Sequence, residues 1–162
     1  MIIKKLISLA ASIVLYGFVS VAHAQVPQYG ANINQAQTQK VIAGALAEAQ
    51  KINVPMAVTI VDTGGQLIGF ARSDNTQIGS IGVSQDKATS AALYRRPTKV
   101  FQDILAAGGA GLRILTLRGA NAVEGGVPIM IDGKIAGAIG VSGGSAEQDG
   151  VVAKAGLDAL AK

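Results

Sequence analysis

The residues in this chain that could do chemistry are few, and most stand in two short stretches. In "EGGVPIMIDGKIAGAIGVSGGSAEQD", Glu124 to Asp149, a carboxylate is followed at once by Gly125 and Gly126, and seven glycines fall within the run. Paired glycines let main chain approach a ligand closely. Glu124 beside them could serve as a general acid or base or bind a polar ligand edge, although a solvent-exposed loop acid fits the same letters. In the second stretch, "DKATSAALYRRPT", Lys87 and Tyr94 share a helix face, with the small residues Ser90 and Ala91 between them. A phenol with Lys87 and Arg95 beside a small-residue surface suits a flat apolar ligand that carries carboxylates. A snorkelling lysine and arginines favoured at a helix C-terminus give the same pattern. Arg72 lies with Asp62 and Asp74 across an expected hairpin, as an ion-pair cluster or as part of a polar site.

Other patterns are weaker. Gly140-Val141-Ser142-Gly143-Gly144 matches the G-x-S-x-G nucleophile pattern and falls between an expected strand and helix. A serine nucleophile needs a base, and only lysine or a carboxylate is at hand. Ser142 to Ser145 also precede a helix whose first N–H groups lack internal partners, a geometry that can hold an anion. No Gly-Lys-Ser/Thr follows, so a nucleotide P-loop is absent. Asp62 and Asp74 do not form a D-x-D-x-D-G calcium loop, and no dedicated metal site is expected.

The chain opens like an export signal. Two lysines in MIIKK precede the apolar run LISLAASIVLYGFVSV and the small-x-small sequence Ala22-His23-Ala24, so cleavage is expected between Ala24 and Gln25. An uncleaved anchor is the rival reading. Removal of residues 1–24 takes Lys4 and Lys5, leaving 14 − 2 = 12 basic residues against 10 acidic ones, a net charge of +2. That is no nucleic-acid footprint. A periplasmic or secreted location follows, with no membrane contact after cleavage. The mature chain, residues 25–162, is expected to be a single domain. It has no cysteine, and the sole histidine, His23, leaves with the leader. Cys/His zinc sites, thiol catalysis, haem attachment through Cys-x-x-Cys-His and a Ser-His-Asp arrangement are thereby excluded from it.

The elements that must position these residues follow from periodicity and punctuation. After a short polar arm, Asn34 can cap a helix to about Lys51, with Gln37 completing a capping box. MAVTIVD and LIGFARSD form a hairpin around Thr63-Gly64-Gly65-Gln66. A second helix runs from near Ser80 to before Pro97, and a short third one covers 98–107. LRILTL is expected as a third strand. VPIMI and KIAGAIGV are the fourth and fifth, joined by Asp132-Gly133, and Ser145 with Gln148 caps the last helix. On the fifth strand Ile135, Ile139 and Val141 face one way and Ala136, Ala138 and Gly140 the other, so a helix, a ligand or a second subunit could approach the small-residue face. The expectation is an α+β domain: a five-stranded, mostly antiparallel sheet flanked by helices.

"VPMAVTIVDTGGQLIGFARSD", "SIGVSQDKATSAALYRRPT" and the Glu124–Asp149 run, in that order, resemble the GlcG/HbpS family, also seen at the C-terminus of PduO-type adenosyltransferases. The resemblance spans nearly all of the mature chain. It implies a profilin-like sheet, homo-oligomers that are often octamers, and an exported protein that binds haem. Many relatives carry histidine after the double glycine of the first hairpin, where this chain has Gln66, so ligation of haem by imidazole does not carry over. Three functions are left open. The first is an oligomeric binding protein for haem, a related tetrapyrrole or another small ligand, held by Arg72, Lys87, Tyr94, Arg95, Gly125 and Gly126. The second is an enzyme on a small carboxylate-bearing substrate, with Glu124 as acid/base. The third is a structural accessory oligomer that binds only copies of itself.

Overall fold

The computed structural model describes residues 26–161. The expected leader, its cleavage site and His23 lie outside those residues. The chain forms α1 (Gln35–Lys51), β1 (Ala57–Val61), β2 (Leu67–Arg72), α2 (Gly79–Tyr94), α3 (Thr98–Ala106), a 3-10 helix (Gly109–Thr116), β3 (Gly126–Ile131), β4 (Lys134–Ser142) and α4 (Ala146–Leu160). Both expected capping boxes are present. The Gln37 N–H donates to Asn34 Oδ1 at 2.9 Å while Gln37 Oε1 accepts from the Asn34 N–H at 3.0 Å. Ser145 and Gln148 make the same exchange at the start of α4. Asp132 and Gly133 both have positive φ, 51° and 74°, as a two-residue hairpin of the I′ kind requires.

The strands form one antiparallel sheet in the order β2-β1-β4-β3. On one face α1 and α4 cover Val58, Ile60, Ile129, Ala136, Ile139 and Val141, the main core. Burial of each such isoleucine contributes about 1.5–3 kcal/mol. On the other face α2 packs through Ala88, Ala91 and Ala92 onto Val61 and Ala138. The occupant of the small-residue face is therefore a helix of the same chain. The domain is α+β, a sheet flanked by helices as expected. No helix among the described residues is long and apolar enough to cross a membrane.

Two expectations need correction. The sheet has four strands, because Leu112 to Leu117 fall in and just after the 3-10 helix. Of its apolar residues only Ile114 is buried, while Leu112 and Leu115 are 53% and 72% exposed. Gly111 packs its Cα directly on the Ile104 carbonyl of α3, so the segment follows that helix and not the sheet. Pro128 in β3 lacks an N–H, which suits the edge strand that β3 is. Second, the alternation along β4 breaks. Ile129 pairs with Gly137 but Met130 with Ile135, so Ala136 is an extra, bulged residue. The bulge turns Ala136 into the α1/α4 core, away from Ala138 and Gly140.

Candidate functional site

The expected residues fall into three groups. The first is buried. Lys87 reaches from α2 through the sheet's small-residue end to Asp149 in α4, with Nζ 2.6 Å from Asp149 Oδ2 and 3.1 Å from the Val141 carbonyl oxygen. Asp149 Oδ1 accepts the Gly144 N–H at 3.0 Å. The two side chains are 1% and 4% exposed, so the pair is dry. The glycine-rich turn does hold an anion, and that anion is the chain's own carboxylate. Lys87, expected as a clamp for an external carboxylate, is turned inward onto Asp149.

Gly125 and Gly126 belong to this same packing. Both are buried. Gly125 has φ +125°, and a methyl there would stand 2.9 Å from Lys87 Nζ and from Asp149 Cβ. A methyl at Gly126 would overlap the Lys87 carbonyl. Their absent side chains make room for α2 and the ion pair. Glu124 stands just outside. Its N–H donates to Gln102 Oε1 at 2.8 Å, its carboxylate lies over Gly150 in the first turns of α4, and Lys99 Nζ is 4.0 Å away. A carboxylate is electrostatically favoured near a helix N-terminus, which gives Glu124 a structural reason for its place. Ser142 is buried and donates to Ser80 Oγ at 3.1 Å, an uncharged partner unable to act as its base.

Burial pushes the Asp149 carboxyl above its ordinary value of 3.8, against the Lys87 ammonium and the turn N–H groups that pull it down. A raised acid holds its proton more readily folded than unfolded. Its contribution to stability is thus fully present below the ordinary value and is lost as pH rises through the folded one. The urea midpoint of the wild type, measured against that of Asp149→Asn, is therefore expected to fall as pH rises through that window. A rise would show that the ammonium outweighs burial.

The second group closes the C-terminal end of α2. The Tyr94 hydroxyl donates to the Arg118 carbonyl at 2.8 Å, and its ring meets Phe101 edge-on at 5.1 Å. Arg95 has φ 53° and lays its guanidinium over the Tyr29 ring at 5.5 Å. The Tyr29 hydroxyl donates to the Ala92 and Leu93 carbonyls, tying the N-terminal arm to the helix end. Tyr94 and Arg95 thus bind their own chain.

The third group is the open one. Phe70 pairs with Thr59, whose hydroxyl bonds Ser84 of α2, so Phe70 is on the α2 side of the sheet. Leu67 and Arg72 pair with Val61 and Ala57 and share that side, and Ile68 is the bulged residue between. Because α2 packs over β1, β3 and β4, this face of β2 is left uncovered: Leu67, Ile68 and Phe70 are 57%, 38% and 36% exposed, and Arg72 is exposed at the end. Gly65, whose missing side chain leaves room for Thr89, bounds the shelf at the hairpin. Asp62 spends Oδ1 on the Gly64 and Gln66 N–H groups at the opposite end of the hairpin from Arg72, so the expected Asp62, Arg72 and Asp74 cluster does not assemble. Periodicity hides the shelf, because an uncovered strand and a covered one read alike.

Comparison with known proteins agrees with an antiparallel sheet that carries α2 on one face and an α1/α4 layer on the other. The chain belongs to the HbpS-like family of haem degrading proteins, whose model matches residues 33–158. It is 38% identical over 110 residues to the protein GlcG of Escherichia coli, covering 68% of this chain and 81% of that one. Its fold is similar to that of the Klebsiella pneumoniae protein ORFY, with a TM-score of 0.75 and 29% identity over 86% of this chain and 98% of the other. It is also similar to PduOC, solved as a haem complex, with a TM-score of 0.72 and 26% identity over 79% and 94% of the two chains.

Proposed function

We propose that this is an exported, self-associating binding protein for haem or a related tetrapyrrole, held on the uncovered face of β2. The observation that carries the reading is the shelf of Leu67, Ile68 and Phe70 ending in Arg72. An apolar macrocycle with carboxylate arms matches a flat apolar strip with a guanidinium at one end, since arginine pairs carboxylates well. Family membership and the likeness to PduOC, a haem-complexed relative, support the ligand class. The chemistry of the donor set fits the ring and its carboxylates but not an imidazole-ligated iron. Residues 26–161 contain neither histidine nor cysteine. The Gln66 amide offers no basic nitrogen. No chemical step at the iron is therefore assigned.

Titration of the purified protein with hemin is expected to give a saturable, shifted Soret band. Arg72→Ala and Phe70→Ala are each expected to weaken binding about tenfold, equivalent to about 1.4 kcal/mol. A spectrum no different from hemin mixed with an unrelated protein would remove the reading. Export and assembly are tested together by native mass spectrometry of protein from its own host, which is expected to show an oligomer of chains beginning at Gln25.

A further inference from the structure

We infer that the tetrapyrrole is held without an iron ligand from residues 26–161, so that binding is indifferent to the metal at its centre. The inference rests on the reading above and deepens it. Strong protein ligands for haem iron are imidazole, thiolate, thioether and phenolate. The first two do not occur in these residues. Both phenols are engaged: the Tyr94 hydroxyl donates to the Arg118 carbonyl, and that of Tyr29 donates to the Ala92 and Leu93 carbonyls. Of the thioethers, Met56 is fully buried in the main core. Met130 is exposed, but it lies on β3, three strands from β2 in the order β2-β1-β4-β3. At about 4.8 Å per strand that is roughly 14 Å from the shelf, too far for a ring seated there.

Three further donors are no better placed. The Lys87 amine is committed to Asp149 in the interior. Asp62 Oδ1 already accepts two N–H bonds. Asp74, exposed on the turn beyond Arg72, offers a hydrated carboxylate, a hard oxygen donor better suited to Mg²⁺ or Ca²⁺ than to a haem iron. What the shelf does offer is apolar contact and one guanidinium, and neither senses the metal.

The test is a competition in which hemin displaces metal-free protoporphyrin, whose own emission reports occupancy. It uses the chain as isolated after export, and the His23→Ala form for any protein that retains residues 1–24. The two porphyrins are expected to bind within about threefold of each other, a difference below about 0.7 kcal/mol. Bound ferric hemin is expected to lack the low-spin bands of two nitrogen ligands. Hemin binding tenfold or more tighter than the metal-free ring would overturn the inference while leaving the tetrapyrrole reading intact. Loss of that preference in Met130→Leu or Asp74→Asn would identify the overlooked ligand. Saturable binding of neither porphyrin would instead remove the reading itself, and the inference with it.

Discussion

Asp149→Ala is expected to be among the most damaging single substitutions in this protein. It leaves the Lys87 ammonium, 1% exposed, facing only the Val141 carbonyl, and strips the Gly144 N–H of its acceptor. Removal of one partner from a buried ion pair costs about 3–5 kcal/mol, because the other charge stays desolvated and uncompensated. A domain of this size has about 5–15 kcal/mol in all, so the variant should stand close to global unfolding at moderate temperature. The double variant Lys87→Met/Asp149→Leu is the decisive companion. If burial of an unpaired charge is the cause, replacement of both charges by apolar groups of similar volume recovers most of the loss. The pair Lys154–Asp158 has the same 2.6 Å separation, but its side chains are 72% and 57% exposed. Asp158→Ala should leave the urea midpoint within error, since water already screens that pair. Equal losses at Asp149 and Asp158 would show that separation and not burial sets the energy.

The sequence made some of this arrangement legible and concealed the rest for definable reasons. Capping boxes at Asn34/Gln37 and Ser145/Gln148 and the Asp132-Gly133 hairpin were readable because each is closed by residues within four positions of one another. The 3-10 helix was not. An apolar run such as Leu112 to Leu117 fits a strand, and only the packing of Gly111 on α3 decides otherwise. The bulge at Ala136 likewise needs the partner strand to be seen. At the site, Lys87 stood out as a cation among small residues, but its partner is 62 positions away with no local signal linking them. One hint was present: a lysine on the helical stripe of Ser84, Ala88 and Ala91 is turned toward the interior and must find an acid there. The sequence marks Arg72 as a candidate ligand contact, whereas Leu67 and Phe70 carry no signal beyond that of strand residues. Whether a strand face is covered is a property of helix placement, which no short stretch encodes.

Gly140→Ala should be comparably destructive, for a reason of space and not of charge. Gly140 lies in the middle of β4, hydrogen-bonded between β1 and β3, directly beneath α2. A methyl on its Cα would overlap the Ser84 carbonyl oxygen and stand 2.5 Å from the Ala88 nitrogen and 2.9 Å from the Ala88 side chain. These are backbone atoms of a helix, so no rotamer change relieves the clash; α2 must lift off the sheet. That displacement would part the Thr59–Ser84 hydrogen bond, at 2.8 Å, and pull Lys87 from Asp149. Overpacking a filled interior costs about 1–3 kcal/mol where side chains can yield. Here they cannot, and a loss of about 3 kcal/mol or more is expected, a fall in Tm of roughly 10 °C. Gly133→Ala provides the internal control. Its φ of 74° also disfavours a side chain, but nothing lies within 4 Å of the added methyl. Only left-handed backbone strain of about 1 kcal/mol should appear there. If the two substitutions cost the same, close approach of α2 is not what the small residues of β4 provide. If Gly140→Ala costs far more, the small-residue face exists to seat α2.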